Sequence, residues 1–235
     1  MMTTHCLWIG GALSTLERLA LSSHVHAGHA CRLWVYEPIG NVPSGIILED
    51  AGAILPRSRI FTYRHGPGTE SVAAFANLFR YKLLYERGGW WCDMDVVCLK
   101  PFTFADDYVF ASEKTPHSAQ ATNCVLKAPA GSPMLRYCLE TAEAKEPAEL
   151  NWGDTGPRLL GEAIRRFELD AFVAPPETFC PIHFHESAAM FTGPVDLRHA
   201  HAVHLWHELW RRNGWDKDAA YPAECLIEQL KRRFL

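Results

Sequence analysis

The feature that most constrains this fold lies between residues 71 and 99, where a helical apolar pattern changes to a strand-like one. Apolar residues recur at spacings of three and four, which predicts a helix with one buried face: Val72, Phe75, Leu78, Phe79, Leu83 and Tyr85. Gly88 and Gly89 can adopt the left-handed conformation that ends a helix. The aromatic and β-branched run from Trp90 to Leu99 then predicts a buried strand.

Two acidic residues interrupt this apolar run. In a strand, Asp93 and Asp95 point to the same face, and Met94 points to the opposite one. Carboxylates that share a partly buried face repel each other and lose hydration, so they need a cation or a proton. Such oxygen ligands suit Mg²⁺ or Mn²⁺, which keep coordination positions open for substrate phosphates. An isolated Asp-x-Asp is more often a solvated turn, but the flanking helix and strand favour metal binding here.

The segment from Asn77 to Asp95 resembles the S-D-x-x-R-x-x-x-L-x-x-x-G-G-x-Y-x-D-x-D segment of glycosyltransferases with a DXD sugar-binding region. That group includes α-1,4-galactosyltransferases, initiating α-1,6-mannosyltransferases, capsular polysaccharide transferases and glucosylating toxins. The resemblance implies that Arg80 faces the donor sugar and diphosphate, and that Asp93 and Asp95 bind a divalent metal ion with the nucleotide. Asn77 replaces the family's aspartate and Ala76 its serine, but an asparagine can still hydrogen-bond a sugar hydroxyl.

The order of the predicted elements indicates an α/β fold. Residues 6–9 and 31–36 predict strands on either side of a helix over residues 14–26, which is how a nucleotide-binding α/β unit begins. The resemblance implies one GT-A-like domain over residues 1–235, with a central mixed, mostly parallel sheet flanked by helices. Residues 1–100 would form the nucleotide-binding half that ends in Asp-x-Asp. Residues 101–235 would form the half that binds the acceptor and completes the metal site.

The remaining elements are predicted from local patterns. A short helix is predicted over residues 45–55, and strands over 59–63, 107–112, 121–126 and 202–206. Ser132 and the Thr-Gly-Pro sequence at 155–157 each precede a predicted helix, and a last helix is predicted within 222–235.

The resemblance also suggests residues that contact the donor. In the family, the first strand and its loop border the nucleotide base, which selects Trp8, Gly10 and Tyr36, and Trp91 is grouped with these as a nucleotide-binding candidate. Trp8 and Tyr36 are explained equally well as core aromatic residues. Asn123 lies in a predicted strand similar to one that carries an asparagine near the donor sugar, although an ordinary edge position explains it equally well.

Two later positions are implied in the same way. Asp154 stands at the entrance of the helix after the Thr-Gly-Pro sequence, where it could bind a sugar or cap the helix. His204-Leu-Trp206 resembles a late H-x-W segment, in which the first residue completes metal coordination and the tryptophan lies against the diphosphate. The resulting set of Asp93, Asp95 and His204 is compatible with manganese.

Composition and charge exclude other classes of protein. The chain has 235 residues, 48% of them hydrophobic and 21% charged, as in ordinary globular proteins. Its formal net charge of −4 argues against nucleic acid as a partner. The eight cysteines lack C-x-x-C spacing, which predicts reduced, buried thiols and disfavours a zinc–thiolate site.

Localisation is predicted from the absence of export signals. The N-terminus lacks the charge and apolar run of a signal peptide, and no run is long enough to span a membrane, so a cytoplasmic protein is expected. The basic cluster from Lys231 to Arg233 is best explained as a solvated helix end, and peripheral membrane contact stays an open alternative.

The main hypothesis is therefore a metal-dependent hexosyltransferase. It would move a sugar from a nucleotide-diphosphate sugar, with UDP expected, to a glycan, polysaccharide or lipid-linked acceptor, with retention of configuration, as in polysaccharide biosynthesis. One alternative, motivated by Asn77, is a nucleotide-sugar-binding module without turnover. Another is a zinc hydrolase built from the histidine-rich C-terminal third: His183, His185, His199, His201, His204 and His207.

Overall fold

The computed structural model describes residues 2–115, 118–193 and 195–235. The strands are β1 (Thr3–Trp8), β2 (Ala30–Val35), β3 (Ile47–Asp50), β4 (Gly89–Cys92), β5 (Val96–Cys98), β6 (Val109–Lys114), β7 (Ala119–Ala128) and β8 (Ala202–His204). The helices are α1 (Thr15–His26), α2 (Ala73–Arg87), α3 (Pro133–Glu143), α4 (Pro157–Arg166), α5 (Pro176–Phe179), α6 (His207–Asn213) and α7 (Leu226–Phe234). Short 3₁₀ turns connect several of them.

The main sheet has six strands in the order β3-β2-β1-β4-β7-β6. β1 pairs in parallel with β2 and with β4, and β2 pairs in parallel with β3. β7 is antiparallel to both of its neighbours, so it alone runs against the other strands of this sheet. The carboxyl ends of β1, β2 and β4 therefore meet at one edge, where α/β sheets bind their ligands.

Helices cover both faces of the sheet. On one face, α2 packs with α3 and α4 over a core that includes Phe75, Phe79 and Trp91. On the other face, α1 lies against β5 and α7, and the core there includes Trp90 and Phe102. The predicted α/β class, with a mostly parallel central sheet flanked by helices, is confirmed.

The starts of α1 and α3 were predicted correctly because capping chemistry is local. The Ser14 side chain accepts the Leu16 N–H, and the Glu17 carboxylate accepts the Ser14 N–H, which together begin α1. Ser132 caps α3 in the predicted place through the N–H of Leu135.

Two short predictions between β2 and α2 are wrong. The helix predicted over residues 45–55 is the edge strand β3 followed by a 3₁₀ turn, and the strand predicted over 59–63 is replaced by a 3₁₀ turn at Arg57–Arg59 and irregular chain. β3 forms because its backbone pairs with β2, a long-range interaction that a four-residue pattern does not specify.

The single strand predicted from Trp90 to Leu99 is also wrong, and the same-face argument for the two aspartates fails with it. β4 ends where the Asp93 N–H donates to the Cys124 carbonyl at 2.8 Å, and the Val96 N–H then closes a turn onto the Asp93 carbonyl at 3.1 Å. After this turn the chain leaves the main sheet, because β5 pairs with β8 in a separate two-stranded sheet. Asp93 and Asp95 thus lie at the junction of two sheets.

Within the described residues, no helix combines the length and the apolar character needed to cross a bilayer.

Gly88 offers a test of how α2 is joined to β4. Its φ of +63° and ψ of −166° are almost restricted to glycine, and an added Cβ would lie 2.7 Å from the Ala130 nitrogen. We expect Gly88→Ala to lower the free energy of unfolding by about 2 kcal/mol more than Gly214→Ala does. Gly214 is the matched control, since it has the same φ but no atom within 4 Å of an added Cβ. Equal losses in denaturant titrations would contradict this account.

Candidate functional site

Two carboxylates and one imidazole meet where the two sheets join. One ligand atom from each of Asp93, Asp95 and His204 lies within 4.8 Å of the other two. His204 reaches this position because it ends β8, where it pairs in register with Val96, the residue after the Asp-x-Asp turn. The turn and the β5–β8 pairing together, rather than strand alternation, bring the three side chains to one point.

Asp95 is the deeply buried acid of this cluster, with 5% of its surface exposed. Its Oδ2 lies 3.1 Å from Nε2 of His204 and accepts the backbone N–H of His207 at 2.6 Å. Burial opposes ionisation of this carboxyl, but His204 and the His207 N–H outweigh burial, so the pKa of Asp95 lies below its usual range. Although burial disfavours the imidazolium, the charge of Asp95 raises the pKa of His204 well above its usual value.

Asp93 is the more open acid, with 30% of its side chain exposed. Its Oδ1 accepts hydrogen bonds from the Arg80 guanidinium and, at 2.7 Å, from the Trp91 indole N–H. Burial raises the pKa of the Asp93 carboxyl, Arg80 acts against this, and the charge of Asp95 adds to the increase. Arg80 itself is held by the Asn77 carbonyl oxygen at 2.6 Å and by the Trp91 ring, 4.8 Å from the guanidinium carbon.

These residues fit a divalent cation. Burial, with a smaller contribution from the charge of Asp95, outweighs Arg80 and raises the pKa of Asp93, so a cation beside this carboxylate would be favourable, and the open side of Asp93 leaves room for further ligands. Two carboxylate oxygens and an imidazole nitrogen form a donor set that suits Mn²⁺ or Mg²⁺.

A buried cluster of polar side chains lies between α2, β7 and the start of α4. Asn123 donates to the Tyr81 hydroxyl at 2.8 Å, and that hydroxyl donates to the Thr155 carbonyl at 2.9 Å. A Cβ on Gly156 would lie 3.0 Å from the Asn77 amide nitrogen, so a glycine at this position allows Asn77 to pack closely against the cluster. Five residues from three separate segments therefore form one polar cluster.

Two atoms of this region have no hydrogen-bond partner within the described chain. They are the buried Oδ1 of Asn123 and the buried Nε of Arg80. A buried polar atom without a partner costs about 1–3 kcal/mol, so such atoms indicate a ligand or water that completes them. A sugar hydroxyl can both donate to Asn123 and accept from Arg80.

The three residues selected near the nucleotide line one cavity. Trp8, Gly10 and Tyr36 meet beyond the carboxyl ends of β1 and β2. The Trp8 indole donates to the Gly11 carbonyl at 2.8 Å, and the Tyr36 hydroxyl donates to the Leu55 carbonyl at 2.8 Å. Burial raises the pKa of Tyr36 to about 12, so its hydroxyl stays protonated and its ring forms a neutral side of the cavity.

Three other candidates have side chains engaged within the protein. Asp154 uses both carboxylate oxygens locally, on Arg158 at 2.8 Å and on the Asn151 N–H at 2.7 Å, as expected for the structural alternative. Trp91 is fully buried and reaches the site through its bond to Asp93. Trp206 packs 4.1 Å from the His204 ring, and its indole donates to a backbone carbonyl.

Sequence reasoning missed a charged cluster beside Asp95. Lys217 forms hydrogen bonds with Glu17, at 2.7 Å, and with the ring of His207, and its Nζ lies 5.9 Å from the centre of the Trp8 ring. Because the His207 N–H binds Asp95, this cluster joins the cavity at Trp8 to the acidic pair. Lys217 and Glu17 are 200 residues apart, so no local signal could identify the pair.

The other histidines of the C-terminal third do not assemble a metal site. Within the described residues, the groups of His, Cys, Asp and Glu that could share an ion include neither His183 nor His185. His204 alone of the six predicted histidines belongs to such a group. Among the described residues, no group of three ligands is therefore drawn from these six histidines alone, as the zinc hydrolase alternative would need.

Comparisons with known proteins agree with this geometry. Residues 58–137 match the family described as glycosyltransferase sugar-binding region containing DXD motif. A search of curated protein sequences gives no match.

Several solved glycosyltransferase structures share the fold. PaToxG Glycosyltransferase is 14% identical, with 99% of this chain and 85% of that chain covered and a TM-score of 0.51. The ligand-free glycosyltransferase domain from the YGT toxin is 10% identical, with 81% of this chain and 82% of that domain covered and a TM-score of 0.55. The glycosyltransferase GlyE of Streptococcus pneumoniae TIGR4 is 12% identical, with 99% of this chain and 62% of GlyE covered and a TM-score of 0.51.

The Asp95–His204 pair predicts a pH window of stability in protein kept free of metal by a chelator. The lowered pKa of Asp95 contributes stability above its unfolded value of about 4, and this is lost as the pH falls through the folded value. The raised pKa of His204 contributes below about 6.5 and is lost as the pH rises through the folded value. The pair is thus worth most between about pH 4 and 6.5.

We expect Asp95→Asn to lower the free energy of unfolding by about 2 kcal/mol within this window, and by less on either side. Denaturant titrations at several pH values measure this difference. The exposed acid Asp107 provides the control variant Asp107→Asn, for which little change is expected. A loss for Asp95→Asn that is independent of pH would argue against the ion pair.

Proposed function

We propose that this chain is a glycosyltransferase of the DXD type with a GT-A fold. It transfers a hexose from a nucleotide-diphosphate sugar, with UDP as the nucleotide. The acceptor is a hydroxyl of a glycan, a polysaccharide or a lipid-linked molecule. The observation that carries the proposal is the convergence of Asp93, Asp95 and His204 within 4.8 Å, with Arg80 bound to Asp93. Departure of the nucleoside diphosphate is the difficult step of such a transfer, because negative charge develops on the leaving group.

Asp93, Asp95 and His204 would hold the divalent ion, Mn²⁺ or Mg²⁺, which when bound neutralises charge on the diphosphate. Arg80 is almost fully buried and already oriented by Asn77 and Asp93, so its remaining donors can bind a phosphate or sugar oxygen without reorganisation.

The cavity at Trp8 and the polar cluster at Asn123 suggest how the donor would lie. The base would occupy the space lined by Trp8, Gly10 and Tyr36. We therefore propose that residues 1–100 bind the nucleotide. Lys217, beside Trp8, would bring a second positive charge towards the diphosphate.

The sugar would lie against the polar cluster that includes Asn77 and Asn123, where the Asn123 Oδ1 has no partner within the described chain. Trp206 would exclude water from the leaving group through its packing on His204. Residues 101–235 supply both His204 and Trp206, which is the role proposed for the second half.

The family resemblance favours retention of anomeric configuration, with the acceptor hydroxyl entering on the face from which the diphosphate leaves. That course needs no protein nucleophile, and we assign none. In this proposal the chain binds and orients the two substrates and stabilises the charge that develops on the diphosphate. A site built from carboxylates, an arginine and amides suits these roles.

Asp95→Ala tests the proposed reaction. The rate of metal-dependent transfer or donor hydrolysis should fall at least about a hundredfold in this variant. The cation loses a buried carboxylate ligand, so it no longer neutralises the charge on the diphosphate. Release of UDP from a panel of UDP-sugars with Mn²⁺ measures this effect, and Asp107→Asn again serves as the control with an exposed acid.

Undiminished hydrolysis by folded Asp95→Ala would refute the assignment. Calorimetry with UDP and Mn²⁺ separates the binding-module alternative, since the wild-type chain would then bind donors and turn over none of them.

Asn123→Ala tests where the sugar lies. Because the free Oδ1 of Asn123 is proposed to accept a sugar hydroxyl, the variant should bind the UDP-sugar about tenfold more weakly and UDP itself unchanged. Calorimetry with the two ligands gives the comparison. Equal weakening for both ligands would instead assign Asn123 a purely structural role through Tyr81.

A further inference from the structure

Two buried cysteines lie together behind His204. The Sγ atoms of Cys124, on β7, and Cys180, at the end of α5, are 3.6 Å apart although 56 residues separate them in sequence. Both side chains are almost wholly inaccessible to solvent. One nitrogen of the His204 ring lies within 4.8 Å of both sulfurs, so three potential soft-metal ligands converge in the core.

His204 presents an unused nitrogen in this region. Its Nε2 lies 3.1 Å from the Asp95 carboxylate, while its Nδ1 is buried and has no hydrogen-bond partner within the described chain. A buried nitrogen with no partner is costly and indicates a missing ligand. An imidazole held by a carboxylate on one nitrogen, with the other nitrogen free, is also the usual arrangement of a metal-binding histidine.

We propose that Cys124, Cys180 and His204 form a second metal site, one that takes a thiolate-binding cation of the Zn²⁺ class. Two sulfurs on one tetrahedral zinc ion, each about 2.3 Å from it, stand about 3.8 Å apart, close to the separation found here. When no ion occupies the carboxylate site, His204 can bind zinc through Nδ1 as a neutral imidazole, with its Nε2–H donating to Asp95. Together with two thiolates this gives a zinc complex with no net charge, which suits an apolar core.

The sulfurs also set the selectivity of this site. Thiolates prefer Zn²⁺ and related soft ions, whereas Mn²⁺ and Mg²⁺ prefer the carboxylates on the other side of His204. The proposed site does not depend on the proposed transfer reaction, because its test measures metal binding alone.

Cobalt absorption spectroscopy on the reduced, full-length chain tests the proposal. Co²⁺ bound by thiolates gives an intense sulfur-to-cobalt charge-transfer band, which ions held only by carboxylates and imidazole do not give. We expect the band to saturate at one equivalent of Co²⁺, to disappear on addition of Zn²⁺, and to be absent from Cys124→Ala and Cys180→Ala.

Cys98→Ala is the matched control. Cys98 is a buried β5 cysteine in the other His/Cys group that the described residues form, with His24 and His29, and its variant should keep the band. A folded wild-type chain that gives no band overturns the proposal, as does a band that survives in Cys124→Ala and Cys180→Ala.

Thermal melting provides a second test if the single cysteine variants fold poorly. Zn²⁺ should raise the melting temperature of Asp93→Asn, whose carboxylate site is weakened, and should leave that of the double variant Asp93→Asn/Cys180→Ala unchanged. Equal increases in the two proteins would overturn the proposal.

Discussion

The electrostatic balance around two carboxylates governs this structure. Asp95 is compensated inside the protein by His204 and by a backbone N–H, while Asp93 is only partly compensated by Arg80. The first arrangement stabilises the fold, and the second leaves an anion directed at an open side. Because only one of the two carboxylates is compensated within the protein, the pair is stable without a cation and still attracts one.

The surrounding fold serves this balance. α2 supplies Arg80, β4 ends at Asp93, and β8 delivers His204 through its pairing with β5. Each element is fixed by a substantial core on one face or the other, and within that frame Arg80 is oriented by Asn77 and Asp93. The same packing buries Trp91, whose ring supports Arg80 and whose N–H holds Asp93.

Much of this arrangement was readable from the sequence, for identifiable reasons. The apolar spacing before Gly88 and the position of Ser132 are local signals, and they correctly predicted α2 and the start of α3. The Asp-x-Asp sequence is also a local signal, and it selected Asp93 and Asp95 as candidates. The turn between β4 and β5 was missed because backbone pairing with β8, more than 100 residues away, decides it. Lys217 and the Cys124–Cys180 pair were missed for the same reason, since their partners are distant in sequence.

The central claim is that a divalent cation binds between Asp93, Asp95 and His204 with a nucleoside diphosphate against it. A crystal structure with Mn²⁺ and UDP, with data collected at the manganese absorption edge, tests this directly. The account predicts an anomalous peak within coordination distance of both carboxylates and the His204 imidazole, adjacent to the diphosphate. A bound diphosphate whose manganese peak lies away from these three side chains would contradict it.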